Sequence, residues 1–467
     1  MRTFFKQVSI YGILPVVGKF ISFFLVPIYV RIFSAAEFGI VELLITLVNF
    51  LLFASNLEFY TAVGRLFYEN ESIIEKKKLV STGLYLTLIF TSIVILFSVI
   101  FENGILNYYI KSNQYQLAYR LSIIYLFFSA IYTYLCVLPR YDKKPKLYVT
   151  IQLIGLLIRV GSTIVYVLYY EWGVNGVIAG QLTGALTSFL LNILISKTYI
   201  GFYFSWYYAK AIIKFAIPLI PGLLLAGFWN PLSRSLISNY YSIEAVGYFA
   251  FALKITMFMT IISNAINLAF NPMIFEKHND SNFYTDLSKM SFYVGIGIFW
   301  FAIVLTLLAP EIIHFIGTVN YNQSTILIGF LAFQGSIEIL KGLRGFGPLI
   351  NNKTYIYSLT EFIGIIAGVI LIIGLKQLGI IGIGFAFLIS SVIKYMLLVS
   401  YTSSHFKIKY HSSSEQLLIA LLAISIALVI FNITPILRYI LLLVICVFFL
   451  KRFQAIFYNS LLKKFAK

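Results

Sequence analysis

Two cysteines in 467 residues, Cys136 and Cys446, both sit inside apolar runs; that excludes a disulfide framework and leaves simple packing as their role. Histidine is nearly as scarce. His278, His314, His405 and His411 show no zinc-ligand spacing, because the last two stand six apart in a polar stretch without cysteine or carboxylate company. No metal site is expected. Charged residues make up only 11% of the chain, against roughly 25% in a soluble domain. A phosphate-cradling Walker loop, a dinucleotide-binding glycine fingerprint and a nucleophile elbow are all missing. The chain is therefore expected to need no cofactor and to hydrolyse no ATP.

What is present is hydrophobicity, at 60% of residues and a mean hydropathy of +0.91. A helical crossing of the hydrocarbon core takes about 20 apolar residues. Fourteen runs reach that scale: 8–30, 38–64, 79–101, 117–138, 147–170, 174–196, 212–238, 246–270, 288–309, 324–346, 357–375, 380–402, 415–432 and 435–453. They are continuous, where a membrane β-barrel alternates polar and apolar positions. The first is too long for a signal-peptide core and lacks a small-x-small cleavage site, so it is read as a retained span. The expected fold is an all-α polytopic membrane protein with 14 transmembrane helices.

The net charge of +18 is spread between the runs rather than clustered on one soluble face. That argues against nucleic acid and for anionic lipid headgroups. Of the 35 Lys and Arg, counting those at span ends with the adjoining side, 25 fall on the side of the N-terminus, six on the other side, Arg234 among them, and four, Lys19, Arg159, Lys254 and Lys394, deeper within spans. The positive-inside rule then places both termini in the cytoplasm. The longest outer loops, 102–116 and 310–323, leave no room for an extracytoplasmic catalytic domain, and no enzyme activity is expected.

The chain also repeats itself. Pro139 to Gly155 returns, 209 positions on, as Pro348 to Gly364: Pro139 meets Pro348, Lys144 meets Lys353, Tyr148 meets Tyr357 and Gly155 meets Gly364. Gly173 and Gly176 are echoed by Gly379 and Gly382, and Pro15, Pro27, Arg31, Glu37 and Gly39 loosely by Pro221, Pro231, Arg234, Glu244 and Gly247. A repeat of six spans preserves orientation, which predicts two parallel, pseudo-symmetric six-helix lobes. The expected division is an N-terminal lobe over 1–196, a C-terminal lobe over 197–411, and a further helix pair with a basic tail over 412–467. Prolines mark candidate gates or kinks: Pro15 and Pro27 in the first span, Pro218, Pro221 and Pro231 in the seventh.

A Lys or Arg at the bilayer centre costs about 2.5–3.5 kcal/mol on insertion scales, so each such residue needs a reason. Arg159 stands midway along the fifth span, Lys19 in the first, Lys394 in the twelfth, Lys254 in the eighth and Arg234 near the outer end of the seventh. One reading has them facing a water-filled cavity that attracts an anionic, phosphate-bearing substrate. The other is internal pairing, for which Glu42, Glu58, Glu338 and Glu361 are available; Glu338 is one turn from Lys341. Glu42 and Glu58 are also the candidates for coupling to H+ or Na+.

The opening, Gly12-Ile-Leu-Pro15 through Pro27-Ile-Tyr-Val-Arg31-Ile-Phe-Ser34-Ala-Ala-Glu37-Phe38-Gly39, resembles the first two helices of polysaccharide flippases, and Ala62-Val-Gly-Arg65 is similar to the end of their second helix. With the two halves and an extra pair, the whole chain resembles the Wzx-type O-antigen and capsule flippases of the multidrug/oligosaccharidyl-lipid/polysaccharide exporter superfamily. The resemblance implies translocation of undecaprenyl-diphosphate-linked oligosaccharide across a bacterial cytoplasmic (inner) membrane, by alternating access and without ATP. It also implies a cationic lumen, which Arg159, Lys19, Lys254 and Lys394 fit, and as partners the lipid-linked substrate, membrane lipids, H+ or Na+, and a polysaccharide polymerase. Two relatives of the same plan compete with this reading: a lipid II-type flippase and a cation or drug antiporter, which should line its cavity with carboxylates.

Overall fold

In a computed structural model, residues 17–465 are described apart from positions 19, 22, 279, 281–282, 317–318, 407, 409–412 and 431–433. Pro15 and Lys19 lie outside the described residues. Those described are overwhelmingly helical, without strands. The chain divides into two compact units, Met1–Gly247 and Tyr248–Lys467.

In the first unit, Ser34 starts the second helix by local chemistry. Its hydroxyl accepts from the Glu37 amide at 3.2 Å, while the Glu37 carboxylate accepts from the Ser34 amide at 2.9 Å, which closes a capping box. The helices are α1 (Val26–Ile32), α2 (Ala35–Asn56), α3 (Phe59–Glu69), α4 (Ile73–Ile100), α5 (Gln116–Leu135), α6 (Pro145–Ile164), α7 (Gly173–Ser196), α8 (Trp206–Ala216) and α9 (Ile220–Tyr240); α10 (Ile243–Lys277) continues into the second unit. Helix α7 packs against both α5 and α6, and α2 against α4, α5 and α9. The core of this unit holds Phe59, Leu79, Tyr134, Leu135 and Ile212.

The second unit carries α11 (Phe283–Leu307), α12 (Ser324–Arg344), α13 (Tyr355–Gly374), α14 (Ile380–Phe406), α15 (Ser413–Ile430) and α16 (Pro435–Phe465). Here α14 packs on α12 and α13, and α11 on α12 and α15. Phe299, Ile303, Leu340 and Phe346 are central to its core.

Ten described segments are long and apolar enough to cross a membrane. Large apolar side chains on them point outward, among them Leu96, Phe97 and Ile100 on α4 and Ile366 and Ile370 on α13. A water-exposed surface does not tolerate such a density of apolar contact, and a lipid-facing one requires it. The protein is a multi-pass membrane protein. The expected seventh span differs from a single rod: Pro218 sits in a short 3-10 turn, Ile217–Leu219, and Pro221 in the first turn of α9, so the run splits into α8 and α9. Proline at these places removes ladder donors that a continuous helix needs. Pro27 lies in the first turn of α1, where it is tolerated, and Pro231 lies inside α9.

The internal repeat is visible in backbone detail. Lys143 and Asn352, 209 positions apart, both adopt left-handed φ, +57° and +53°. The amides of Lys144 and Lys353 reach back to the carbonyls of Pro139 and Pro348 at 2.8 and 2.9 Å. Gly173 and Gly379 stand at φ +55° and +56° where α7 and α14 begin, a conformation that costs glycine nothing. A Cβ on Gly247 would collide with the Ala35 carbonyl, and one on Gly39 with that of Ile243, so the two echoed Glu-x-x-Gly and Glu-Phe-Gly segments make one close helix crossing.

Candidate functional site

Arg159 projects from α6, which lies unusually close to α7. Gly180 faces Thr163, Gly184 faces the Arg159 stem and Gly155 faces Ser188, so that any side chain at the three glycines would clash. Small residues are how membrane helices bring their backbones together. The half-buried Arg159 has no carboxylate partner among the described residues, and its Nε is enclosed without a hydrogen-bond partner. The phenols of Tyr29 and Tyr132 lie within its electrostatic reach. Among the described residues nothing takes its N–H donors, and a planar guanidinium is the group that grips phosphate oxygens.

Arg234 is placed differently. Its Nη2 lies 3.3 Å from Glu42 Oε1, and both side chains are buried, at 7% and 8% exposure. Its Nη1 donates to the Asn230 carbonyl at 3.1 Å. Beside this pair the Tyr109 hydroxyl donates to the Leu43 carbonyl at 3.3 Å, and Lys111 Nζ donates to the Ser238 carbonyl at 2.6 Å. The pair thus fastens α2 to α9.

Lys394 and Lys341 form a closed ring with two carboxylates in the second unit. Lys394 Nζ lies 2.7 Å from Glu338 Oε1 and 3.2 Å from Glu361 Oε2; Lys341 Nζ lies 2.6 Å from Glu338 Oε2 and 2.6 Å from Glu361 Oε1. Ser391 donates to Glu338 Oε1 at 3.0 Å. Gly364 leaves room for the Lys394 stem, and its carbonyl accepts from Ser390 at 2.7 Å. Lys254 is half-buried on α10.

Glu58 has no cationic partner among the described residues. It follows Leu57 in a break between α2 and α3, where both residues adopt left-handed φ, +40° and +59°. Its carboxylate accepts from Tyr60 Oη at 2.7 Å and from Thr61 Oγ1. Two consecutive non-glycine residues in that region carry backbone strain of order 1–3 kcal/mol each, which surrounding structure must offset.

The structure therefore joins Glu42 to Arg234, and Lys394 to Glu338 and Glu361, while Arg159 stands apart from any described acid. Three features escaped sequence reasoning. Arg344, near the end of the run 324–346, is buried and donates to Tyr395 Oη at 2.9 Å and Ser291 Oγ at 3.3 Å. Arg438, near the start of the run 435–453, is buried against Glu311 at 3.0 Å. Pro272 lies inside α10. A search for cations one helical turn inside an apolar run would have found the first two.

Comparison with solved structures shows the fold. A lipid II flippase MurJ in an inward closed conformation superposes with a TM-score of 0.73 at 16% identity, covering 97% of this chain and 99% of that one. A multidrug resistance MATE family transporter of the MOP superfamily, inward-facing, gives 0.61 at 13% identity over 82% and 94%. A Vibrio cholerae MATE transporter, VcmN, gives 0.53 at 12% identity over 86% and 97%. No curated relative matches the sequence. The profile of a family described as "Polysaccharide biosynthesis protein" matches residues 28–326, well over half of the sequence. This helical membrane protein, with a fold shared by lipid II flippase MurJ and MATE transporters, belongs to the polysaccharide biosynthesis protein family.

Proposed function

We propose that the protein is a flippase that moves an undecaprenyl-diphosphate-linked oligosaccharide, an O-antigen or capsule repeat unit, across the cytoplasmic membrane by alternating access. Both termini lie in the cytoplasm in this reading, as the 25-to-6 distribution of Lys and Arg supports. The observation that carries it is Arg159, a half-buried cation at membrane depth whose enclosed Nε has no hydrogen-bond partner and which meets no acid among the described residues. A diphosphate supplies the missing anion, and the cost of holding a cation inside the bilayer is then recovered in substrate binding. Family membership supports the polysaccharide half of the proposal. The MurJ-like fold supports lipid-linked cargo, and it equally supports a lipid II-type flippase as the second reading. A cation or drug antiporter is less favoured, because Glu42, Glu338 and Glu361 are all engaged by Arg or Lys.

Coupling to H+ or Na+ is assigned to Glu58, whose carboxylate is held by hydroxyls alone among the described residues. The test is Arg159→Ala in a strain that depends on this protein for surface glycan. Glycan should disappear while the protein remains in the membrane at its usual level. Wild-type glycan would remove Arg159 from the site, and a block in peptidoglycan instead of surface glycan would select the second reading.

A further inference from the structure

Helix α10 carries a polar stripe at helical spacing in an otherwise apolar span: Thr256, Thr260, Ser263 and Asn264 lie on one face, near the middle of Ile243–Lys277. Gln334 and Glu338, one turn apart near the middle of α12, meet that stripe across a hollow of about 350 Å³. That volume is at the small end of ligand pockets. The two helices touch at the wall of the hollow, with Gly335 against the Met259 stem, and again further along, with Gly342 against Asn267.

The side chains of Ser263, Asn264 and Gln334 make no hydrogen bond to any described residue. Bare amides and hydroxyls are too costly to turn toward hydrocarbon, so the hollow is wet or filled by a polar ligand. Leu253, Leu331 and Ile339 supply apolar wall, and the polar groups stand among them. Asn and Gln each present two donors and an acceptor side by side, Ser and Thr add hydroxyls that both donate and accept, and Glu338 offers a carboxylate already matched by Lys341 and Lys394. Such a lining has no surplus charge for a phosphate or an organic cation. It does match the alternating donors and acceptors around a sugar ring.

We infer that this hollow is a glycan subsite that binds a neutral, polyhydroxylated sugar residue of the substrate through Asn264, Gln334 and Ser263. The inference rests on the flippase reading above and adds to it a recognition site for the head of the cargo, separate from the arginine assigned to the diphosphate.

The test compares binding of purified full-length protein to two probes, undecaprenyl diphosphate and undecaprenyl diphosphate bearing a neutral oligosaccharide. The wild type should bind the glycosylated probe about tenfold more tightly. The double variant Asn264→Leu/Gln334→Leu should lose that preference and keep its affinity for the bare lipid, which also shows that it is folded. Ser263→Phe, which fills the hollow and leaves both amides in place, should lose the preference too. A preference unchanged in both variants, or absent from the wild type, overturns the subsite alone. A wild type that binds neither probe overturns the flippase reading with it.

Discussion

Arg234 and Glu42 face each other across α2 and α9 at 3.3 Å, both nearly closed to solvent. Removing one partner of a buried ion pair strands the other charge and costs about 3 kcal/mol or more. Glu42→Gln should therefore lower the thermal unfolding midpoint of the detergent-purified protein markedly. The double variant Glu42→Leu/Arg234→Met, which leaves no buried charge, should recover most of the loss. A Glu42→Gln protein as stable as wild type would show that the pair is not what joins these helices.

Glu42 and Glu58 make opposite predictions for coupling. Glu58→Gln removes a titratable group held by Tyr60 and Thr61 without a described cation. It should make transport insensitive to collapse of the coupling gradient. Glu42→Gln should alter stability while the gradient dependence of the remaining transport stays as in wild type. Vesicle uptake with and without an ionophore separates the two outcomes.

Arg159→Lys keeps the charge and loses the planar fork. Each charge-assisted hydrogen bond contributes about 1.5–3 kcal/mol, so losing one weakens lipid-diphosphate binding roughly tenfold or more. The measured Kd for undecaprenyl diphosphate should rise by that factor in Arg159→Lys and further in Arg159→Ala. An unchanged Kd in Arg159→Lys would mean that only the charge matters.

Glu102, in the connection between α4 and α5, accepts from Gln116 Nε2 and Arg120 Nε, each at 2.9 Å. Burial pushes its carboxyl up, but the two donated hydrogen bonds and the arginine charge outweigh that and hold it below the ordinary carboxylate range. A carboxyl lowered in the folded state stabilises fully above its unfolded value, about pH 4, and stops doing so as pH falls through the folded value. Hydrogen exchange in residues 101–115 should accelerate in Glu102→Gln at pH 7, and the difference between the two proteins should shrink as the carboxyl is protonated on acidification. Equal exchange in the two proteins at pH 7 would mean that the Glu102 contacts do not hold this connection.

Long apolar runs and the 209-residue offset were enough to anticipate a helical membrane protein with echoed turns, because both are written in residue type: the Pro139 and Pro348 turns close with the same hydrogen bond. Arg159 was legible for the same reason, as a cation with nowhere local to go. The partners of Lys394 were harder to read. Glu338 and Glu361 stand on other helices, and only packing decides that they meet it. The break at Leu57 and Glu58 has no glycine or proline to announce it, so tertiary contacts impose it against local preference. Asn264 and Gln334 carry no charge, and single amides barely dent the hydropathy of a run.

The ring of Glu338, Lys341, Glu361 and Lys394 holds two positive and two negative groups within a few ångströms. A unit charge displaced through the whole membrane voltage exchanges about 2.3 kcal/mol per 100 mV. Four groups travelling together exchange almost nothing, whatever distance their helices cover. The cluster is electrically silent, whereas Arg159 presents a full elementary charge to the field. Any voltage sensitivity of transport arising from these five residues therefore traces to that one side chain and to the ions that accompany it.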